Sequence, residues 1–115
     1  YTDDLDLDAG LILSLVETII NEHDANAHEC KGRAYPISVF HRTHFKVTVT
    51  LLNRSHRDQA FTRALMDDLE ARIKVELPRS CFFSLLIEYS PDYYVTNEHL
   101  VSGDDLPRYT NQKDR

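Results

Sequence analysis

Only two cysteines, Cys30 and Cys81, occur in the 115 residues, too few for a disulfide scaffold and in keeping with a reducing, cytoplasmic setting. A single bridge between them stays open at this level. No apolar run approaches the roughly 20 residues that span a bilayer, so a membrane partner is not expected. The first helix-like segment opens on Asp residues instead of a basic flank, unlike a secretory signal. Positive charge is scarce as well: 13 Lys and Arg stand against 19 Asp and Glu, a formal charge of −6. A nucleic-acid footprint needs a basic stripe, which argues against that partner. A small anion site built from a few local Arg or Lys residues stays compatible with this balance. What remains is ordinary: 42% hydrophobic and 28% charged residues describe a folded globular chain, long enough for one domain and too short for two.

Hydrophobic spacing then sets out the elements. Asp8 is placed to cap a helix in which Leu11, Ile12, Leu15, Val16, Ile19 and Ile20 form one apolar stripe, ending near Asn21 to His23. The opening Tyr1 to Asp8 is acidic and has no helical period. Tyr35, Ile37 and Val39 alternate as a short strand, confined to an edge by Pro36, which has no N–H to donate. Phe45, Val47, Val49 and Leu51 alternate more cleanly and predict a strand. Ser55 followed by Asp58 resembles a capping box, and Phe61, Leu65, Leu69, Ile73 and Leu77 predict a long helix that Pro78 ends. Ala60, Ala64 and Met66 widen its apolar face.

A last strand carries Phe83, Leu85, Ile87 and Tyr89 on one face. Its other face, Phe82 to Glu88, is still apolar enough to suggest burial on both sides against another subunit. Strand, capped helix and strand form a βαβ unit, whose crossover makes the strands parallel. The first helix would complete a second such half if a strand preceded it. The polar residues from Ser102 to Arg115 form a tail.

This order, with Tyr1-Thr2-Asp3-Asp4-Leu5, Lys31-Gly32-Arg33-Ala34, Arg54-Ser55-His56-Arg57-Asp58-Gln59, Phe83 to Tyr89 and Asn97-Glu98-His99, resembles the 5-carboxymethyl-2-hydroxymuconate isomerase family of the tautomerase superfamily. The resemblance covers residues 1–101, read as one tautomerase-like domain, with 102–115 as the tail. It implies an α/β (α+β) fold of two βαβ-like halves, a two-layer sandwich of a mixed sheet and two helices, assembled as a homotrimer. The activity it implies is a cofactor-independent isomerisation that shifts a proton within an unsaturated keto acid or dicarboxylate in aromatic-compound degradation. The family's base is an amino-terminal proline. Tyr1 stands first in this sequence, so an isomerase would carry that proline and its strand upstream of Tyr1. The alternative is a non-catalytic trimeric scaffold or binding protein that has lost the base. An unrelated α/β interaction module is a third reading.

The chemistry explains the residues that matter. An amine serves as a base near neutral pH when desolvation and nearby cations disfavour its charged form. Cations are also needed to hold the substrate carboxylates and the dienolate oxygen, which guanidinium does with paired donors in one plane. By resemblance Arg33 and Arg54 are catalytic, and Lys31, Arg33 and Arg54 bind substrate. Arg54 has a separate argument, since it adjoins a helix N-terminus where free N–H groups favour anions. Each has a plain role as well: Arg54 and Lys31 as solvated loop residues, Arg33 as a partner of the acidic surface. No metal is implied. His41 and His44 read as turn residues, and His23, His28, His56 and His99 show no partner in the sequence. Tyr89, Tyr93 and Tyr94 read as packing, and Lys31 beside Cys30 is expected to lower that thiol's pKa.

Overall fold

A computed structural model describes residues 1–91 and 93–103. Four elements follow one another: α1 (Ala9–His23), β1 (Phe45–Leu52), α2 (Gln59–Val75) and β2 (Phe83–Ser90). The two strands pair in parallel, Phe45 opposite Phe83 through Leu52 opposite Ser90. The chain is thus α+β, with the expected βαβ unit in its second half.

Each element forms where its local chemistry directs it. Asp8 caps α1 by accepting from the Leu11 N–H at 3.1 Å, which satisfies a donor that the first turn leaves free. In α2 the cap is Asp58, accepting from the Phe61 N–H at 2.9 Å; Ser55, the expected capping residue, lies in the turn before it. The helix stops at a C-cap on Glu76, two residues before Pro78. In β1 the side chains alternate, Phe45, Val49 and Leu51 buried and Lys46, Thr48, Thr50 and Leu52 exposed.

That alternation decides where the helices go. Ile12, Ile19 and Ile20 of α1, and Leu65, Leu69 and Ile73 of α2, share one core with the odd-numbered residues of both strands. Ile19, Leu65, Leu69 and Ile73 lose essentially all contact with solvent, which stabilises each by about 1.5–3 kcal/mol relative to exposure. Both helices therefore cover one face of the sheet. The stripe is narrower than its spacing suggests, because Leu11, Ala60 and Ala64 are exposed. Among the described residues nothing covers the other face: Leu52, Phe82 and Leu86 are exposed there, beside a hydroxyl–carboxylate bond from Thr50 to Glu88 at 2.9 Å.

The first residues contribute more than their composition suggests. Thr2 is wholly buried and Leu5 belongs to the core. The Thr2 N–H donates to the His44 carbonyl at 2.8 Å, and Asp3 and Tyr1 exchange backbone bonds with Ile37, each at 2.8 Å. This segment lies between the start of β1 and residues 35–37. The short strand expected over Tyr35 to Val39 is reduced to one parallel bridge, Thr2 with Ile37. Its partner segment is only a few residues long, and Pro36 removes a donor from the ladder. Residues 31–40 are all exposed. Tyr93 and Tyr94 are exposed as well, so of the three tyrosines read as packing only Tyr89 packs against the core. The tail beyond Gly103 lies outside the described residues.

Candidate functional site

The turn between β1 and α2 sorts two arginines into opposite environments. It closes with the Arg57 N–H on the Arg54 carbonyl at 3.0 Å. Arg57 points inward, where its Nε donates to Asp24 Oδ2 at 2.9 Å and its Nη1 to the Leu52 carbonyl at 2.8 Å. His56 Nε2 lies 2.8 Å from the same carboxylate oxygen, and the Asn26 N–H donates to Asp24 Oδ1 at 3.0 Å. These bonds, with His56 contributing most, hold the Asp24 carboxyl at about 2 despite its burial. Hydrogen bonds to the charged form favour ionisation and here outweigh desolvation. A second tie joins the helices, His23 Nε2 to Asp68 Oδ2 at 2.8 Å. His23 and His56 are thus partnered, with carboxylates 45 and 32 residues away in the chain.

Arg54 points outward. It donates to the neighbouring Asn53 carbonyl at 2.9 Å, and among the described residues no carboxylate neutralises it. Arg33 is exposed with its guanidinium 5.9 Å from the centre of the Tyr35 ring, a cation–π distance. Lys31 is exposed. The three predicted cations are therefore all presented to solvent, two on the 31–40 arm and one at the carboxyl end of β1. None of the three lines the cavity beside α2. The Tyr1 ammonium donates to the Tyr35 carbonyl at 3.0 Å, which brings the amino end of the chain to the same arm.

Beside this turn lies a cavity of about 300 Å³, lined by Arg57, Asp58, Gln59, Thr62, Arg63, Met66 and Tyr89. It sits between the first two turns of α2 and the carboxyl end of β2. The Thr62 hydroxyl donates to the Asp58 carbonyl at 2.9 Å and makes a short contact with the Tyr89 hydroxyl. Sequence reasoning gave no binding role to Gln59, Thr62, Arg63 or Met66, the last being read only as part of the helix's apolar face. Their three- and four-residue spacing on one helix face was the available signal.

Two further expectations are settled locally. Both cysteines are free, Cys30 exposed and Cys81 half-buried. The Cys30 thiol is pushed up, contrary to the expected lowering: loss of hydration and the Glu17 carboxylate outweigh Lys31. Among the described residues no group of three His, Cys, Asp or Glu is placed to hold a metal ion, and no helix is long and apolar enough to cross a membrane. Compared with protein-family models, curated proteins and solved structures, the chain finds no match.

Proposed function

We propose that this chain is a cofactor-independent isomerase resembling 5-carboxymethyl-2-hydroxymuconate isomerase, which shifts a proton within a small unsaturated keto acid. The observation that carries the reading is Arg54. In a chain with net charge −6, it stands at the carboxyl end of a parallel strand, exposed and without a carboxylate partner among the described residues. Ligands of open α/β sheets gather at the carboxyl ends of strands, and an unneutralised guanidinium there suits a substrate carboxylate. Arg33 and Lys31 supply further positive charge from the arm. The base in this proposal is an amino-terminal proline carried ahead of Tyr1, its amine kept neutral by desolvation and by these cations. It takes the proton from one carbon and returns it to another. A homotrimer and a cytoplasmic location belong to the same proposal. Exposed Leu52, Phe82 and Leu86 on the uncovered sheet face support assembly, since apolar surface of this kind marks interaction sites.

The test uses the natural full-length protein and a 2-hydroxymuconate-type dienol, followed by ultraviolet absorbance and by solvent deuterium exchange. The expected result is isomerisation, with Arg54→Ala lowering kcat/KM by about 100-fold, the loss of one charge-assisted contact. A full-length protein that neither isomerises nor exchanges, or whose mature terminus is not proline, leaves the scaffold or binding-protein reading in its place.

A further inference from the structure

The cavity beside α2 has a composition that the isomerase reading does not use. Its two free charges are of opposite sign and do not meet. Asp58 gives one carboxylate oxygen to the Phe61 N–H, and its other oxygen takes no partner among the described residues. Arg63 has neither an ion pair nor a hydrogen bond among them. Arg57, the third charge on the wall, is spent on Asp24. A carboxylate and a guanidinium thus flank one cavity of about 300 Å³, both exposed at its rim, with Met66 and the Tyr89 ring as the apolar wall between them.

The hydroxyl pair adds a direction. A hydroxyl has one proton to donate. Thr62 gives its proton to the Asp58 carbonyl, so the proton in the Thr62–Tyr89 contact belongs to Tyr89. The Tyr89 oxygen is then an acceptor with a lone pair left over. The cavity therefore presents two acceptors, Asp58 and Tyr89, and two donors, Arg63 and the Gln59 amide, around an apolar wall. Small-molecule sites have this form, a largely apolar pocket of a few hundred Å³ with a few polar groups that fix orientation.

We infer that this cavity binds a small zwitterion with an apolar side chain, an α-amino acid or a close analogue. Its ammonium meets Asp58 and the Tyr89 oxygen, its carboxylate meets Arg63 and Gln59, and its side chain lies on Met66 and the Tyr89 ring. A simple carboxylate would satisfy Arg63 and leave Asp58 facing an apolar or anionic group; a simple amine would do the reverse. The inference does not depend on the isomerase reading, because Arg54 lies outside the lining.

The experiment is a titration of the full chain with L-norleucine, hexanoate and hexylamine in turn, followed by amide chemical shifts. Norleucine is expected to bind with a dissociation constant on the order of 1 mM, shifting Gln59, Thr62, Arg63, Met66 and Tyr89, and the two singly charged probes about tenfold more weakly. Arg63→Gln and Asp58→Asn are each expected to weaken norleucine binding by about tenfold. Asparagine still caps the helix, and circular dichroism of both variants confirms that they fold. Arg54→Ala is expected to leave norleucine binding unchanged while it lowers isomerase kcat/KM by about 100-fold, so the two sites fail separately. Norleucine that does not bind, that binds no better than hexanoate or hexylamine, or that binds equally well to Arg63→Gln overturns the inference.

Discussion

Around Asp24 the charges close on one another, while at Arg54, Asp58 and Arg63, on the turn and helix that supply its partners, they are left open. Both regions draw on the same segment, the turn and first helical turns from Asn53 to Met66. In the first, a buried carboxylate collects His56, Arg57 and the Asn26 N–H, tying the end of α1 to the start of α2. In the second, two guanidiniums and a carboxylate face solvent without neutralising each other. A buried charge is tolerated only when paired and hydrogen-bonded, so the first region is built for cohesion. Charges left unpaired at a cavity rim contribute little to stability and are available to a ligand.

The comparison breaks most sharply at Arg57. Arg57→Ala takes from the buried Asp24 carboxylate its guanidinium partner, leaving His56 and the Asn26 N–H, and is expected to cost about 3 kcal/mol, measured as a drop in the urea midpoint. Acid attacks the same place more gradually. With a folded value of about 2 against an ordinary 3.8, Asp24 binds protons more readily in the unfolded chain. Its stabilisation is full above about pH 4 and is lost as the pH falls toward 2. Denaturant titrations across that window are expected to show this slope in the natural chain and a flatter one in Asp24→Asn.

A smaller effect separates the two roles of Asp58. Asp58→Ala is expected to cost about 1 kcal/mol through loss of the helix cap, and Asp58→Asn only a fraction of that, as thermal unfolding would show. The smallest effect sharpens the comparison from the other side: Arg54→Ala is expected to change stability by less than about 0.5 kcal/mol. A larger loss would mean that Arg54 belongs to the cohesive region after all.

How much of this was legible in the sequence depends on the distance over which each contact acts. The periodicity of Phe45 to Leu51 and of Leu65, Leu69 and Ile73 is local, and it placed β1 and α2. The burial of Thr2 was not legible, because it arises beside His44 and Ile37, 42 and 35 positions away, and Leu5 joins the core in the same segment. The same holds for the turn. Its pattern drew attention to Arg54, but which arginine turns inward is decided by Asp24, 33 residues earlier than Arg57. The short strand over Tyr35 to Val39 failed for a related reason: alternation creates a strand only where a partner of equal length lies beside it.

The parallel pairing of β1 with β2 has a consequence for how the chain reaches its fold. All eight paired positions, from Phe45–Phe83 to Leu52–Ser90, are separated by the same 38 residues. One closure of the segment through α2 therefore sets up the whole ladder, after which each rung adds no further closure entropy. Closure cost grows only slowly with length, by about 0.6 kcal/mol per doubling, so residues inserted between Leu77 and Cys81 would leave the zipping step nearly as favourable. The ladder's closure entropy is thus met once, when α2 folds back to bring Phe83 beside Phe45.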